Sequence, residues 1–280
     1  MDNLSLVRKA AAENKLAHFL LFHGSGTEER HKAALDLACL LNCEEVNSPC
    51  RECSSCKKIS SGNHPDVHIL KPLKTSVGIE QVMQMQEKIY RKHFEGKFRI
   101  CLIEEADKLT LPAANALLKI SEDPPDNTLI ILSTSNGEGI ISTLQSRAQS
   151  VYFSFPTRQE WKYGSESYDL SGGDPDLACK INDLGIEKVK QSLSSYLEAV
   201  NAADFLKVYS LFPLEKDETL ILIQALAVNI REQVIRKEVS PQLLQEIGRT
   251  AEALRKQANP RLVLEVLALK HIEMGGSKIG

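Results

Sequence analysis

Five short apolar runs rich in β-forming residues punctuate the first 155 positions, at 19–22, 67–70, 100–103, 129–132 and 151–155. Each has the length of a buried strand. Between them, apolar residues recur at a helical period. Ala34, Leu37, Ala38 and Leu41 fall on one face, and Ile79, Val82, Met83 and Ile89 on another. Strands without a polar side, alternating with one-sided helices, predict a parallel sheet covered on both faces. The pattern changes near Pro156. From there to about Gly185 the chain is polar and interrupted by Gly164, Gly172, Gly173 and Gly185, which predicts a small module or a linker. Beyond it the period is helical. Ser240-Pro241 and Asn259-Pro260 each place a capping residue before a proline, a helix-start signal. Leu262, Leu264, Val266, Leu267 and Leu269 make the last helix apolar over much of its surface. Either an intramolecular helical core or a subunit contact would bury that surface.

The length of 280 residues fits two domains, or three small ones. With 42% apolar and 25% charged residues the chain can build a core, which excludes disorder, collagen-like repeats and a disulfide-stapled miniprotein. The 34 basic and 37 acidic residues leave a net charge of −3, so any nucleic-acid contact is a local patch. Met1-Asp2-Asn3 carries no basic leader, and the run at 19–22 is too short to span a bilayer. The expected setting is the cytoplasm, with no membrane contact, where the seven cysteines are thiols or metal ligands.

Four of those cysteines, Cys43, Cys50, Cys53 and Cys56, form a C-x6-C-x2-C-x2-C array. Thiolates two residues apart can fold back onto one tetrahedral ion, so the array predicts a structural zinc site with no position left open for substrate. Pro49 and Ser54-Ser55 supply the turns, and Arg51, Lys57 and Lys58 would offset the negative charge. Cys39, Cys101 and Cys179 stand in apolar patterns and read as core.

After the first strand comes Gly24-Ser25-Gly26-Thr27-Glu28-Glu29-Arg30-His31-Lys32, where a phosphate-binding loop G-x-x-x-x-G-K-[ST] would stand. Counted from Gly24, the second glycine position holds Glu29, the lysine position Arg30 and the hydroxyl position His31. Without that glycine and hydroxyl the loop cannot close around a triphosphate and its magnesium ion, and two carboxylates would repel it. The third strand runs into Glu104, Glu105 and Asp107, the region where nucleotide hydrolases keep magnesium-binding acids. With no working loop opposite, these acids read as a structural network.

Taken together the motifs resemble a known family. They are Gly78-Ile79-Glu80-Gln81, Phe94-Glu95-Gly96-Lys97, Glu105-Ala106-Asp107-Lys108-Leu109-Thr110, Ala113-Ala114-Asn115-Ala116-Leu117-Leu118-Lys119 and Glu122-Asp123-Pro124-Pro125. Lys15-Leu16-Ala17-His18, the cysteine array, Ser146-Arg147 and Asn259-Pro260-Arg261-Leu262 extend the likeness over nearly the whole chain, most weakly after Pro156. The sequence resembles the delta-prime subunits of the bacterial DNA polymerase III clamp loader, and more broadly the AAA+ clamp-loader subunits.

The resemblance implies an α/β, RecA-like AAA+ domain with a zinc module (1–156, the module at 43–56), a small, shortened helical lid (157–190) and an all-α collar (191–280). It implies a pentameric ring with gamma/tau and delta subunits that loads a sliding clamp on primed DNA. The gamma/tau members keep an intact G-K-[ST], which this chain lacks. The implied part is a non-hydrolysing stator in the polymerase holoenzyme, without autonomous catalysis, with ATP bound by neighbouring subunits. In the lid, Gly172-Gly173-Asp174-Pro175-Asp176-Leu177-Ala178 resembles a sensor-2 segment with Asp176 where an ATP-sensing member has arginine. Ser133, Thr134 and Ser135 fall in the sensor-1 region. Ser146-Arg147-Ala148 departs from the family's Ser-Arg-Cys only at its last residue, which implies that Arg147 acts as a finger in a neighbour's ATP site, worth roughly 10³–10⁵ in rate.

Two rival readings remain: an ATP-hydrolysing, gamma/tau-like subunit using Arg30 and Glu105 in a non-standard loop, and a zinc-containing DNA-binding module. The basic segment Lys88, Arg91, Lys92, His93, Lys97 and Arg99 reads first as a solvated helix face and second as a contact for DNA phosphates or a partner.

Overall fold

The computed structural model describes residues 3–13, 15–91, 94–204, 207–208, 215–256 and 258–275. Met1, Asp2, Lys92 and His93 lie outside them. Two compact units make up the chain, 1–154 and 155–280.

In the first unit all five apolar runs are strands: β1 (Phe19–Gly24), β2 (Val67–Leu70), β3 (Arg99–Ile103), β4 (Thr128–Thr134) and β5 (Gln149–Phe153). They form one parallel sheet in the order β2-β3-β4-β1-β5. Strand faces alternate between two cores. Leu20, Phe22, Ile100, Leu102, Leu129 and Ile131 pack with α1 (Asn3–Ala12) and α2 (Thr27–Asn42), through Val7, Ala34 and Leu37. Phe19, Leu21, Cys101, Ile103, Ile130 and Leu132 pack against α4 (Ile79–Tyr90) and α5 (Leu111–Glu122). Helices therefore cover both faces, as an all-parallel sheet requires. On α4 the buried positions are Val82, Met85 and Ile89, whereas Met83 is exposed, because residues three and seven apart share a face and Met83 is one step off it.

Helix ends follow local chemistry. Thr110 caps α5 by accepting the Ala113 amide, with Pro112 in its first turn. Gly24 has φ +114°, and a Cβ there would fall 2.2 Å from the Phe153 carbonyl oxygen, so only glycine lets β1 pass β5 into the following turn.

The second unit is helical. The polar stretch from 156 to 185 is not a linker: α7 (Ser165–Ser171) and α8 (Pro175–Leu184) occupy it, the latter capped by the Asp174 carboxylate on the Asp176 and Leu177 amides. Helix α9 (Ile186–Asn201) crosses position 190. It shares one apolar core with α8 and with helices Lys216–Ile235, Pro241–Arg255 and Pro260–Gly275. Ser240 and Asn259 cap the last two helices, accepting the amides of Gln242 and Arg261. The last helix buries Leu264, Leu267 and Ala268 and leaves Leu262, Val266 and Leu269 exposed, an apolar stripe at helical spacing. Among the described residues no helix is long and apolar enough to cross a membrane.

Candidate functional site

In a parallel sheet the turns at the carboxyl ends of the strands carry the chemistry. Here β1, which lies between β4 and β5, runs through Gly24, Ser25 and Gly26 into α2. The Ser25 amide donates to the Phe153 carbonyl oxygen at 2.9 Å, and its hydroxyl to that of Ser154 at 2.8 Å.

Arg30 is 2% exposed and turns back into this loop. Its Nη1 donates to the Gly24 carbonyl oxygen, its Nη2 to Thr27 Oγ1 at 3.0 Å and its Nε to Ser133 Oγ at 3.2 Å. One guanidinium thus ties the loop to β4. His31 Nδ1 pairs with Glu104, whose other oxygen meets Lys71 Nζ at 3.0 Å. Glu105, in the left-handed region at φ +47°, pairs with Lys108. Asp107 accepts the Thr134 hydroxyl at 2.5 Å. Each acid at the end of β3 therefore has a partner within the chain. Burial lowers the His23 pKa, and the Arg30 charge lowers it further. Ser133 and Thr134 belong to β4, their hydroxyls engaged by Arg30 and Asp107. Lys71, which sequence reasoning missed, lies outside the nucleotide-site motifs and meets Glu104 only through the fold, whereas Thr134 belongs to the sensor-1 region already singled out.

The four array cysteines converge, with all Sγ atoms within 4.8 Å of one another. Tetrahedral thiolates around zinc stand about 3.8 Å apart for Zn–S bonds of about 2.3 Å, so the donor set fits that ion. Amides point at the sulfurs: Cys50 N to Cys43 Sγ at 3.4 Å, Cys53 N to Cys50 Sγ at 3.3 Å and Cys56 N to Cys53 Sγ at 3.4 Å. Burial opposes ionisation of Cys43, yet the amides of Cys50 and Glu45 outweigh it and bring its pKa down to about 6. Burial pushes Cys56 up. Four cysteine sulfurs gathered this closely could hold a metal ion. The array also packs into the sheet core, because Cys43, Cys56 and Ile59 of α3 (Ser54–Ser60) are buried there. Arg51 and Lys58, expected to offset the array's charge, instead pair with Asp36 at 3.0 Å and Glu95 at 2.7 Å. Cys39 and Cys101 are buried core residues, while Cys179 is half-buried.

Arg147 follows the short helix α6 (Ser142–Gln145) on the surface. Its side chain is 35% exposed, with Nε 3.0 Å and Nη2 2.5 Å from Glu122 Oε1 and Nη1 donating to the Thr143 carbonyl oxygen at 2.7 Å. The guanidinium is oriented but not enclosed.

Residues 2–157 match the family described as DNA polymerase III, delta subunit. The chain is 34% identical over 151 residues to DNA polymerase III subunit delta' of Bacillus subtilis, covering 54% of this chain and 46% of that protein. It is 35% identical over 112 residues to the Escherichia coli subunit delta', covering 39% and 34%. Against the B. subtilis subunit tau it is 26% identical over 251 residues, covering 86% and 44%. The chain thus spans less than half the length of these relatives. A crystal structure of a DNA polymerase III gamma subunit-related protein from Thermotoga maritima shares the fold, with a TM-score of 0.58 at 17% identity, covering 98% of this chain and all of that one.

Proposed function

The chain belongs to the DNA polymerase III delta-prime family, and from that premise we propose that it is a non-hydrolysing subunit of the clamp loader. It works as a stator and lends Arg147 to a neighbouring ATPase subunit. The observation that carries this reading is the filled phosphate loop. Arg30 is buried against Gly24, Thr27 and Ser133, and His31 is paired with Glu104. Phosphates and a magnesium ion need free loop amides, a lysine, a hydroxyl and an open carboxylate. Here Arg30 and His31 stand at the lysine and hydroxyl positions, each engaged within the chain, and the Glu104 carboxylate is taken by His31 and Lys71.

Arg147 suits the lending part. A solvent-facing ion pair such as that with Glu122 is worth about 0–1 kcal/mol, so a γ-phosphoryl group of higher charge draws the guanidinium away at little cost. In the complex, ATP is bound by the neighbours, gamma/tau and delta share the pentameric ring, and the ring acts on the sliding clamp and primed DNA. The second unit supplies the lid (157–190) and the collar (191–280), and the exposed stripe Leu262, Val266 and Leu269 favours burial of the last helix against another subunit. Cys43, Cys50, Cys53 and Cys56 would hold zinc, which would close the 43–56 turn onto the core. The setting is cytoplasmic.

The rival in which the chain hydrolyses ATP through Arg30 and Glu105 runs against the burial of the first and the Lys108 pairing of the second. Equilibrium binding of a fluorescent ATP analogue to the purified chain, with turnover measured in parallel, tests the proposal. No saturable binding at micromolar concentration is expected; saturable binding with turnover would reinstate the rival.

A further inference from the structure

The cysteine array has two unlike halves. Cys43 and Cys56 are 2% and 0% exposed and belong to the sheet core, together with Cys39. Cys50 and Cys53 are half-buried and only border that core. These two stand two residues apart, and the Cys53 amide donates to Cys50 Sγ at 3.3 Å. Their sulfurs lie at most 4.8 Å apart, so closing to the bond length of about 2 Å needs a shift of under about 3 Å. An oxidant arriving from solvent therefore meets Cys50 and Cys53 before the other two.

The array is also hooked to a segment remote in sequence. The Cys43 carbonyl oxygen accepts Lys97 Nζ at 2.5 Å, and Asn42 Oδ1 accepts the Phe98 amide at 2.8 Å. Lys58 of α3 pairs with Glu95 at 2.7 Å. Ser55, between two of the cysteines, has its hydroxyl 3.1 Å from His64 Nε2, and the Asp66 amide donates to His64 Nδ1 at 3.2 Å. The Asp66 carboxylate in turn accepts the amides of Phe94, Glu95 and Gly96. The stretch 94–98, which leads into β3, is thus anchored on the array and its surroundings.

We propose that the array is a peroxide-sensitive switch: hydrogen peroxide joins Cys50 to Cys53 in a disulfide, the array gives up its metal, and the 94–98 stretch loses its anchorage. This rests on the zinc reading above. One thiolate of the pair attacks a peroxide oxygen and breaks the O–O bond, giving a sulfenic acid and hydroxide. The other thiolate then attacks that sulfur, forms the S–S bond and displaces a second hydroxide. The two thiolates give up two electrons in all, and the peroxide is reduced to two hydroxide ions that take protons from solvent. Cys43 and Cys56 alone leave two of the four tetrahedral positions unfilled.

The full chain, purified reduced, is treated with increasing hydrogen peroxide while released zinc is followed with a chromogenic chelator and the thiols are mapped by alkylation and peptide mass spectrometry. The chain should release its one zinc as two thiols disappear. The first disulfide should join Cys50 to Cys53, with Cys39 and Cys101 still reduced, and dithiothreitol with added zinc should restore the site. Cys179→Ser, which removes the other half-buried thiol, should leave the release unchanged. On release the Phe98 amide should exchange faster by about tenfold or more. A reduced chain without zinc overturns the metal assignment and the switch with it. Zinc that stays bound under peroxide, a first disulfide elsewhere, or Phe98 exchange that does not change on release overturns the switch while the metal assignment stands.

Discussion

Arg30→Met is the sharpest perturbation of the filled loop, because it keeps the length of the side chain and removes only its donors. Three hydrogen bonds disappear, to Gly24, Thr27 and Ser133. At about 1.5 kcal/mol for each bond from a charged donor they amount to about 4.5 kcal/mol, less about 1 kcal/mol recovered by no longer desolvating a cation. The first unit should therefore lose about 3–4 kcal/mol. The readout must lie in that unit, and the only tryptophan, Trp161, does not. Native-state hydrogen exchange at the amides of Leu21 and Ile131, in neighbouring buried strands, reports it directly. A loss of 3–4 kcal/mol speeds their exchange by about 10²–10³-fold at unchanged pH and temperature. Acceleration below tenfold would refute the claim that this guanidinium organises the loop.

Three further outcomes follow from the geometry. Freshly purified chain should carry one zinc, and Cys53→Ser or chelation should loosen α3, read as faster exchange of the Cys56 and Ile59 amides; a chain with well under one zinc would sink the assignment. Burial holds the His271 pKa at about 4, against 6.5 in the unfolded chain. Below pH 6.5 the unfolded chain therefore takes up a proton that the folded one refuses. The second unit should lose up to about 3 kcal/mol between pH 6.5 and 4, be indifferent above that window, and become flatter in His271→Gln; urea titrations followed by Trp161 fluorescence test this. Glu122→Gln should change stability by under about 1 kcal/mol and leave loader turnover at or above the wild-type level, since it only releases Arg147; lost turnover at full assembly would make the ion pair itself necessary.

Strands β1, β3 and β4 were legible because they are buried on both sides and read as near-continuous apolar runs. Their ends were less so. Arg99 and Thr128 are polar residues paired across the sheet, and Gln149 and Ser150 belong to β5, an edge strand exposed enough to accept them. The 156–185 stretch hid its helices because α7 and α8 are short and bounded by Gly164, Gly172 and Gly185. At the site, the sequence located the loop, the acids and the cysteines, since each motif is local. It could not locate their partners. Ser133 lies 103 residues from Arg30, and Glu104 lies 73 from His31. Nor could it separate the buried Arg99 from the exposed Lys88, Arg91 and Lys97, because a charge run carries no information about burial.

The central claim is that this subunit completes a neighbour's ATP site while holding none of its own. The most direct measurement is DNA- and clamp-stimulated ATP turnover of the reconstituted loader, with Arg147→Ala against wild type, after equal assembly of both complexes has been established. The account predicts turnover lower by roughly 10³-fold at the site completed by Arg147, with ATP still bound by the neighbour. Unchanged turnover at equal assembly would contradict it and leave the chain as a scaffold alone.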